Sequence, residues 1–186
     1  MNVYDFDGTI YNGDSTIDFW LFSLRRHPSV ILKFPSQVTA AILHKTGKIT
    51  TVQMKERFLS FVSNIPDITA ETELFCRKKM HKIKEWYLEQ KHSDDLIISA
   101  SPEFLVAPFC KNLGNISLIA TKADPLTGII SGKNCKGDEK VERFRSKYGN
   151  AAIDEFYSDS LADLPLAQTA KKSFIVSKNK IKRWET

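Results

Sequence analysis

A pair of carboxylates two residues apart near the first residue restricts the fold more than any other feature. Asp5-Phe6-Asp7-Gly8-Thr9 follows directly on the apolar-leaning Met1-Asn2-Val3-Tyr4. Side chains two apart on a strand share a face, and a glycine lets the chain turn sharply away from it. Like charges this close are costly unless one holds a proton or a cation lies between them. A hard divalent cation with oxygen ligands satisfies such a pair, and Mg²⁺ suits one or two carboxylates plus a phosphate. Taken alone, the motif reads equally as an Asx-type turn, because Asp and Gly also crowd ordinary turns.

Three later stations decide between these readings. Leu96-Ile97-Ile98-Ser99-Ala100 is a short apolar run of buried-strand character. Ser101 and Pro102 follow it as a helix N-cap with proline in the first turn. A hydroxyl beside a helix N-terminus suits an anion, although a plain strand-to-helix junction has the same pattern. Next, Gly137-Asp138-Glu139-Lys140 opens a helix running to Gly149, with Asp138 as its expected cap. A cation in the first turn is electrostatically disfavoured, so Lys140 either faces an anion or is a solvated surface lysine. Ile153 to Tyr157 reads as another strand, with Asp159 at its tip and Asp163 beyond. Ser160 and Asp163 have capping-box spacing, which leaves Asp163 as helix cap, metal-site residue or both.

The order of these stations, each at a strand end or helix start, resembles the haloacid dehalogenase superfamily of aspartate-nucleophile phosphohydrolases. The match covers residues 1–11 and 95–177. Ala120-Thr121-Lys122, Leu126-Thr127-Gly128 and the run from Gly132 through Asn134, Cys135 and Gly137 to Lys140 are similar to the phosphoserine-phosphatase-like branch. The resemblance implies Asp5 as nucleophile and Asp7 as general acid and base. It implies Thr9 orienting Asp7 or a phosphate oxygen, and Ser99, Ala100, Gly8 and Lys140 gripping the phosphoryl group. Mg²⁺ would lie on Asp5, the backbone carbonyl of Asp7, Asp159 and Asp163. Two departures from the phosphoserine pattern are Asp14, where that group usually has Glu, and Ala162, where it has Asn. They put specificity for an amino-acid phosphate in doubt.

Residues 12–94 have almost wholly helical patterns: a first helix capped by Ser15, a second from Pro28 to near Gly47, and a third behind the Thr50/Gln53 capping box. A fourth carries Cys76, Met80, Ile83 and Tyr87 on one stripe. Such an insertion resembles the family's bundle cap. The expected architecture is therefore α/β, a Rossmann-like parallel-sheet core of residues 1–11 and 95–186 with an all-helical cap of residues 12–94. Asp14, Ser15 and Arg57 are its expected substrate contacts.

Composition bounds the rest. Residues 12–94 hold 13 Lys/Arg against 9 Asp/Glu, and residues 171–186 hold 6 against 1. This excess reads either as solvated helix faces or as attraction for anionic substrates or an anionic membrane surface. No nucleic-acid motif accompanies the charge, and no obligate protein partner is evident. Three cysteines without metal-ligand spacing suggest reduced thiols. Arg25, Arg26, His27, Pro28 and Lys33 interrupt the richest apolar region below spanning length. With the acidic motif at residue 5, the expectation is no leader peptide and a cytoplasmic protein. The leading expectation of function is a Mg²⁺-dependent phosphatase acting through an aspartyl-phosphate on a phosphorylated small molecule or lipid. Beside it stand a phospholipid or prenyl-phosphate phosphatase with peripheral membrane contact, favoured if Phe19, Trp20, Phe22, Val30, Ile31, Leu32 and Phe34 leave an exposed patch, and a phosphomutase of the same superfamily.

Overall fold

The computed structural model describes residues 1–185. Its strands are β1 (Asn2–Tyr4), β2 (Leu96–Pro102), β3 (Ser117–Thr121), β4 (Ile153–Ser158), β5 (Ala170–Ser177) and β6 (Lys180–Arg183). Among the described residues they form one sheet in the order β3-β2-β1-β4-β5-β6. The first five run parallel and β6 returns antiparallel to β5. Strand order runs outwards in both directions from β1, so a crevice opens at the C-terminal ends of β1 and β4, where such folds bind ligands. This is the Rossmann-like α/β core expected from the sequence. The basic residues after 170 lie in the β5–β6 hairpin.

Residues between β1 and β2 form helices α1 (Ser15–Arg26), α2 (Phe34–Lys45), α3 (Thr51–Leu59), α4 (Ile68–Lys79) and α5 (Glu85–Gln90), with 3₁₀ turns at Pro28–Lys33, Ser60–Asn64 and Met80–Lys82. After β2 come α6 (Glu103–Asn112), α7 (Asp138–Tyr148) and the short α8 (Leu164–Ala167). The Thr50/Gln53 capping box forms as expected. The single helix expected through Cys76, Met80, Ile83 and Tyr87 does not. Its periodicity is overridden at Ile83, which pairs with Tyr11 of the first loop while Lys84 N–H donates to the Ile10 carbonyl at 2.8 Å. Tyr87 therefore sits on a separate helix, packed against the sheet rather than among the other inserted helices. No helix among the described residues is long and apolar enough to cross a membrane.

Both faces of the parallel sheet are covered, which is why its strands read as near-continuous apolar runs. Val3, Leu96, Ile98 and Phe156 face α7 and α8, packing with Phe144 and Leu166. Tyr4, Ile97 and Tyr157 face the other way. On that face Tyr4, Tyr157 and Phe174 are register partners on β1, β4 and β5. Their rings stack with centroids 4.9 and 4.7 Å apart, and Trp86 and Tyr87 of α5 close over them. In-register aromatic pairs penalise strand slippage. Because Asp5 follows Tyr4 and Asp159 lies two residues beyond Tyr157, the ladder also fixes where both carboxylates emerge.

The same apolar cluster runs into the inserted helices. Phe109 of α6 is fully buried, with its ring against Phe6 and Tyr11 of the first loop and Phe75 of α4, at centroid distances of 5.4, 5.6 and 5.9 Å. Phe109→Ala should therefore lower stability by about 3–5 kcal/mol. Urea denaturation followed by circular dichroism measures it, and an unchanged midpoint would show that the ring is not a keystone of this cluster.

Candidate active site

The site grows out of the strand ends. β1 stops at Tyr4, but the Asp5 N–H still donates to the Tyr157 carbonyl at 2.9 Å. Asp5 therefore keeps the sheet's geometry while its carboxylate leaves the sheet. Lys140, one turn into α7, reaches it: Nζ donates to Asp5 Oδ1 at 2.6 Å and to Asp163 Oδ2 at 2.7 Å. Lys140 is 1% exposed, so it is not a solvated surface lysine. Gly137, with φ of 60°, takes the cap position expected for Asp138. Asp163 accepts a further bond from Ser158 Oγ at 2.8 Å. It does not form the capping box: Ser160 accepts from Ala162 N–H, and the Ser160 N–H goes to Ser158 Oγ. The Asp163 carboxylate is spent on Lys140 instead.

Thr9 and Gly8 bring the fourth station in. Thr9 is fully buried; its hydroxyl lies 3.3 Å from Asp5 Oδ2 and accepts from Asp159 N–H at 2.9 Å. It thus ties Asp5 to the tip of β4 and makes no bond to Asp7, one of the two expected partners beside a phosphate oxygen. Gly8 has a φ of 70°, and a Cβ there would stand 1.9 Å from Asp159 Oδ2. Its N–H is already given to the Gly13 carbonyl. Room for Asp159, not a phosphate-binding N–H, is what Gly8 supplies.

Asp7 and Asp5 do not share a strand face, because the strand has ended before either of them. Asp7 instead accepts from Ser15 N–H at 2.6 Å and from the Ser101 hydroxyl at 2.5 Å. These replace two expected caps. Asp14, not Ser15, caps α1 by accepting from Ile17 N–H at 2.9 Å. Ser101 and Pro102 complete β2 before α6 begins at Glu103. Ser99 is buried, with its hydroxyl accepting from Ser101 N–H.

These groups line a cavity of about 780 Å³ whose floor includes Asp5, Asp7, Ser99, Lys140 and Asp159, and whose wall includes Asp14, Ile17, Lys55 and Phe58 of the insertion. A larger groove of about 950 Å³ between α4 and α6 meets none of the site carboxylates. Ser15 is buried outside the cavity lining and serves through its backbone alone. Arg57 is exposed and points away. Lys55, two residues earlier on α3, enters in its place, donating to the Ala100 carbonyl at 3.0 Å and Asn134 Oδ1 at 2.8 Å. Sequence reasoning missed Lys55: it and Arg57 flank the Met54/Phe58 stripe on opposite sides, and the stripe alone does not say which flank faces the cavity. Lys84 was missed too: its buried ammonium bridges the carbonyls of Gly8 and Lys178 at 2.6 and 2.5 Å, and no local pattern marks it.

Burial acts on both motif carboxylates in the same direction, but among the described residues only Asp5 has a cation bonded to it. Burial raises the Asp7 carboxyl above its ordinary value, against the hydrogen bonds from Ser101 and Ser15. Burial also raises Asp5, against the pull of Lys140. Lys140 is held charged, burial opposing its charge and Asp5 and Asp163 more than restoring it. Asp159 is raised by burial and by the nearby Asp163 charge. Among the described residues no three such groups converge on one point, since Asp5 and Asp163 are tied to Lys140. The donor set nevertheless fits a hard divalent cation: the carboxylates of Asp5, Asp159 and Asp163 gather at the strand ends, Lys140 is bonded to Asp5 and Asp163 only, and Asp159 accepts no bond from a cationic side chain among the described residues.

A protein-family model described as haloacid dehalogenase-like hydrolase matches residues 3–168. Protein CicA of Caulobacter vibrioides is 28% identical over 182 residues, covering 90% of this chain and 82% of that relative. Among solved structures, a protein of unknown function from Bordetella pertussis Tohama I superposes with a TM-score of 0.74 at 21% identity, over 93% of this chain and 87% of that one. A phospho-aspartyl intermediate analogue of phosphoserine phosphatase superposes with a TM-score of 0.54 at 18% identity, over 92% and 83%.

Removing the shared ammonium tests the charge arrangement without any substrate. Lys140→Met should cost about 3 kcal/mol or more, because a buried pair that loses one partner leaves uncompensated charge. Asp5, raised by burial in the folded state, binds its proton more tightly there than when unfolded, so that stabilising protonation is lost as pH rises. The deficit should therefore be larger at about pH 8 than at about pH 5.5 in urea titrations. A deficit independent of pH would mean that Asp5 and Asp163 are not held apart by Lys140.

Proposed function

Because the chain belongs to the haloacid dehalogenase-like hydrolase family, we propose that it is a Mg²⁺-dependent phosphatase hydrolysing a phosphomonoester through an aspartyl-phosphate on Asp5. The observation that carries this reading is the division of labour between Asp5 and Asp7. One is held by Lys140 and Thr9; the other is held separately by Ser15 and Ser101. Nucleophile and acid need opposite protonation states; the Lys140 ammonium bonded to Asp5 favours its charged form, and among the described residues no cation is bonded to Asp7. The phosphoserine phosphatase solved as a phospho-aspartyl intermediate analogue supports the same reading.

In the first step an Asp5 carboxylate oxygen attacks phosphorus, the ester P–O bond breaks, and Asp7 gives its proton to the departing alkoxide. In the second, Asp7 takes a proton from water, whose oxygen attacks the phosphorus; inorganic phosphate leaves and the Asp5 carboxylate is regenerated. Lys140 stabilises the equatorial phosphoryl oxygens together with the Ser99 hydroxyl. Ser101 and Ser15 hold the Asp7 carboxyl in place through both steps. Asp5, the backbone carbonyl of Asp7 and Asp159 would hold Mg²⁺, with Asp163 as further ligand or as the anchor of Lys140. When bound, the metal neutralises charge between nucleophile and phosphate and keeps Asp5 ionised. Asp14 lines the cavity but commits one carboxylate oxygen to capping α1, and together with Ala162 it departs from the phosphoserine pattern, which weighs against that substrate.

Asp5→Asn should abolish turnover while leaving the circular dichroism spectrum unchanged, and residual activity within about tenfold of wild type would remove Asp5 from the nucleophile's role. A phosphate-release screen over sugar, amino-acid, nucleotide and lipid phosphates with Mg²⁺ defines the substrate class. Stoichiometric phosphate release without a sugar bisphosphate activator separates hydrolysis from phosphomutase chemistry. A pH profile tests Asp7. Its Ser101 bond favours the ionised form, so Ser101→Ala should raise the Asp7 pKa and shift the alkaline limb of kcat/KM upwards by about one unit. A limb that stays in place, or shifts down, would be inconsistent with Asp7 as the acid.

A further inference from the structure

We infer that the face formed by the Pro28–Lys33 turn and helix α2 is a docking surface for an anionic lipid bilayer. This face is unusual in what it exposes. Leu32 is 72% exposed and Ile42 59%, with Ile31, Phe34 and Val38 each above 40%. Phe34, Val38 and Ile42 are spaced four apart on α2, so they share one side of the helix. Helix α2 buries only Gln37 and Ala40; most of its circumference faces outwards. Phe34 is anchored by stacking on Trp20 of α1, centroids 6.1 Å apart, so the face is held in shape by the packed interior.

Charge identifies the occupant. From Phe19 to Lys55 the sequence contains no Asp or Glu, yet it carries Arg25, Arg26, Lys33, Lys45, Lys48 and Lys55. Among the described residues only Arg26 of these six is ion-paired, to Glu71 of α4, and Lys55 is turned inwards to Asn134. Arg25, Lys33, Lys45 and Lys48 are left without an acidic partner; Lys33 directly follows Leu32, and Lys45 falls on the same side of α2 as Phe34, Val38 and Ile42. Apolar residues bordered by lysine and arginine, without acidic residues, are the composition of a helix lying in the headgroup region of an anionic membrane. Lysine stems can lie along the acyl boundary while their ammonium groups reach the phosphates. A second copy of the chain is a poorer occupant, because an isologous contact here would set two such basic faces against each other.

The face also borders the catalytic cavity. His44, in the last turn of α2, lines the cavity, and so does Ile17 of α1, itself 44% exposed. A bilayer on α2 therefore lies beside the cavity mouth. The docking rests on the surface alone; that a docked protein draws its phosphomonoester from the membrane rests on the phosphatase reading above.

Co-sedimentation of the full chain with phosphatidylglycerol-rich vesicles and with pure phosphatidylcholine vesicles tests the docking without any turnover. Binding should be selective for the anionic vesicles and should weaken on the order of tenfold when salt is raised from about 0.1 to about 0.5 M. Leu32→Asp and Ile42→Asp should each lose vesicle binding while keeping the wild-type urea midpoint and wild-type turnover of a small soluble phosphate ester. Equal binding to neutral and anionic vesicles, or no binding to either, overturns the proposal. So does a concentration-dependent dimer in sedimentation velocity that Leu32→Asp abolishes, since it makes the face a contact between copies. Failure of the phosphatase reading looks different: vesicle binding intact, with no turnover of any ester.

Discussion

An ammonium group with almost no access to water is the element around which this molecule is arranged. A buried lysine is tolerated only where carboxylates neutralise it, and Lys140 has one on each side, from the end of β1 and from the 3₁₀ turn after β4. Satisfying that one cation draws α7 towards two different strands, and it sets the direction of both acidic side chains. The aromatic ladder of Tyr4, Tyr157 and Phe174 does the complementary work from below, since it fixes strand register while Lys140 fixes what emerges above the strands. A buried charge network of this kind is weak as a source of stability. Its value lies in position, because each carboxylate has one low-energy direction to point.

The inserted helices are bound into the same arrangement rather than attached beside it. Lys55 is held by Ala100 and Asn134, the Glu56 carboxylate accepts from Ile130 N–H at 3.0 Å, and Gly128 is close enough to Leu59 that a Cβ would meet its backbone at 2.7 Å. At the other end, Lys84 grips the Gly8 carbonyl. The insertion therefore touches the site through polar contacts near the cavity and through a shared apolar cluster behind it. Polar contacts can be exchanged with water more cheaply than buried aromatic surface. Movement that admits a ligand should use the Lys55 side, with the Phe75–Phe109 side as its pivot.

Much of this was legible in the sequence where local rules and the tertiary structure agree. Apolar runs such as Leu96–Ile98 and Ile153–Tyr157 have few alternatives to a strand buried on both faces, and the order of acidic, hydroxyl and basic stations placed Asp5, Ser99, Lys140 and Asp159 at strand ends or a helix start. The errors fall where a long-range partner outbid a local one. Ser101 and Asp163 have good capping chemistry, but Asp7 and Lys140 offer them charged, buried partners, which are worth more than an exposed cap. Ile83 fits a helical stripe, yet pairing with Tyr11 breaks the helix there. Arg57 was preferred to Lys55 on residue type, whereas the helix face decides which side chain reaches the cavity. Lys84 acts through carbonyls distant in sequence, and nothing around residue 84 announces that.

The pairing of β1 carries a consequence for how the chain is made. Val3 is registered against Phe156 on one side and Leu96 on the other, so the strand that leads into Asp5 acquires neither neighbour until long after it leaves the ribosome. Contacts of such separation cost loop-closure entropy before they return any stability, and they slow folding. The inserted helices, rich in near neighbours, can order first and shelter the first loop through Tyr11 and Phe6. A nascent chain would then exist for some time as a helical body with an unpaired β1 and acidic loop, vulnerable to proteases and in need of protection until β4 arrives.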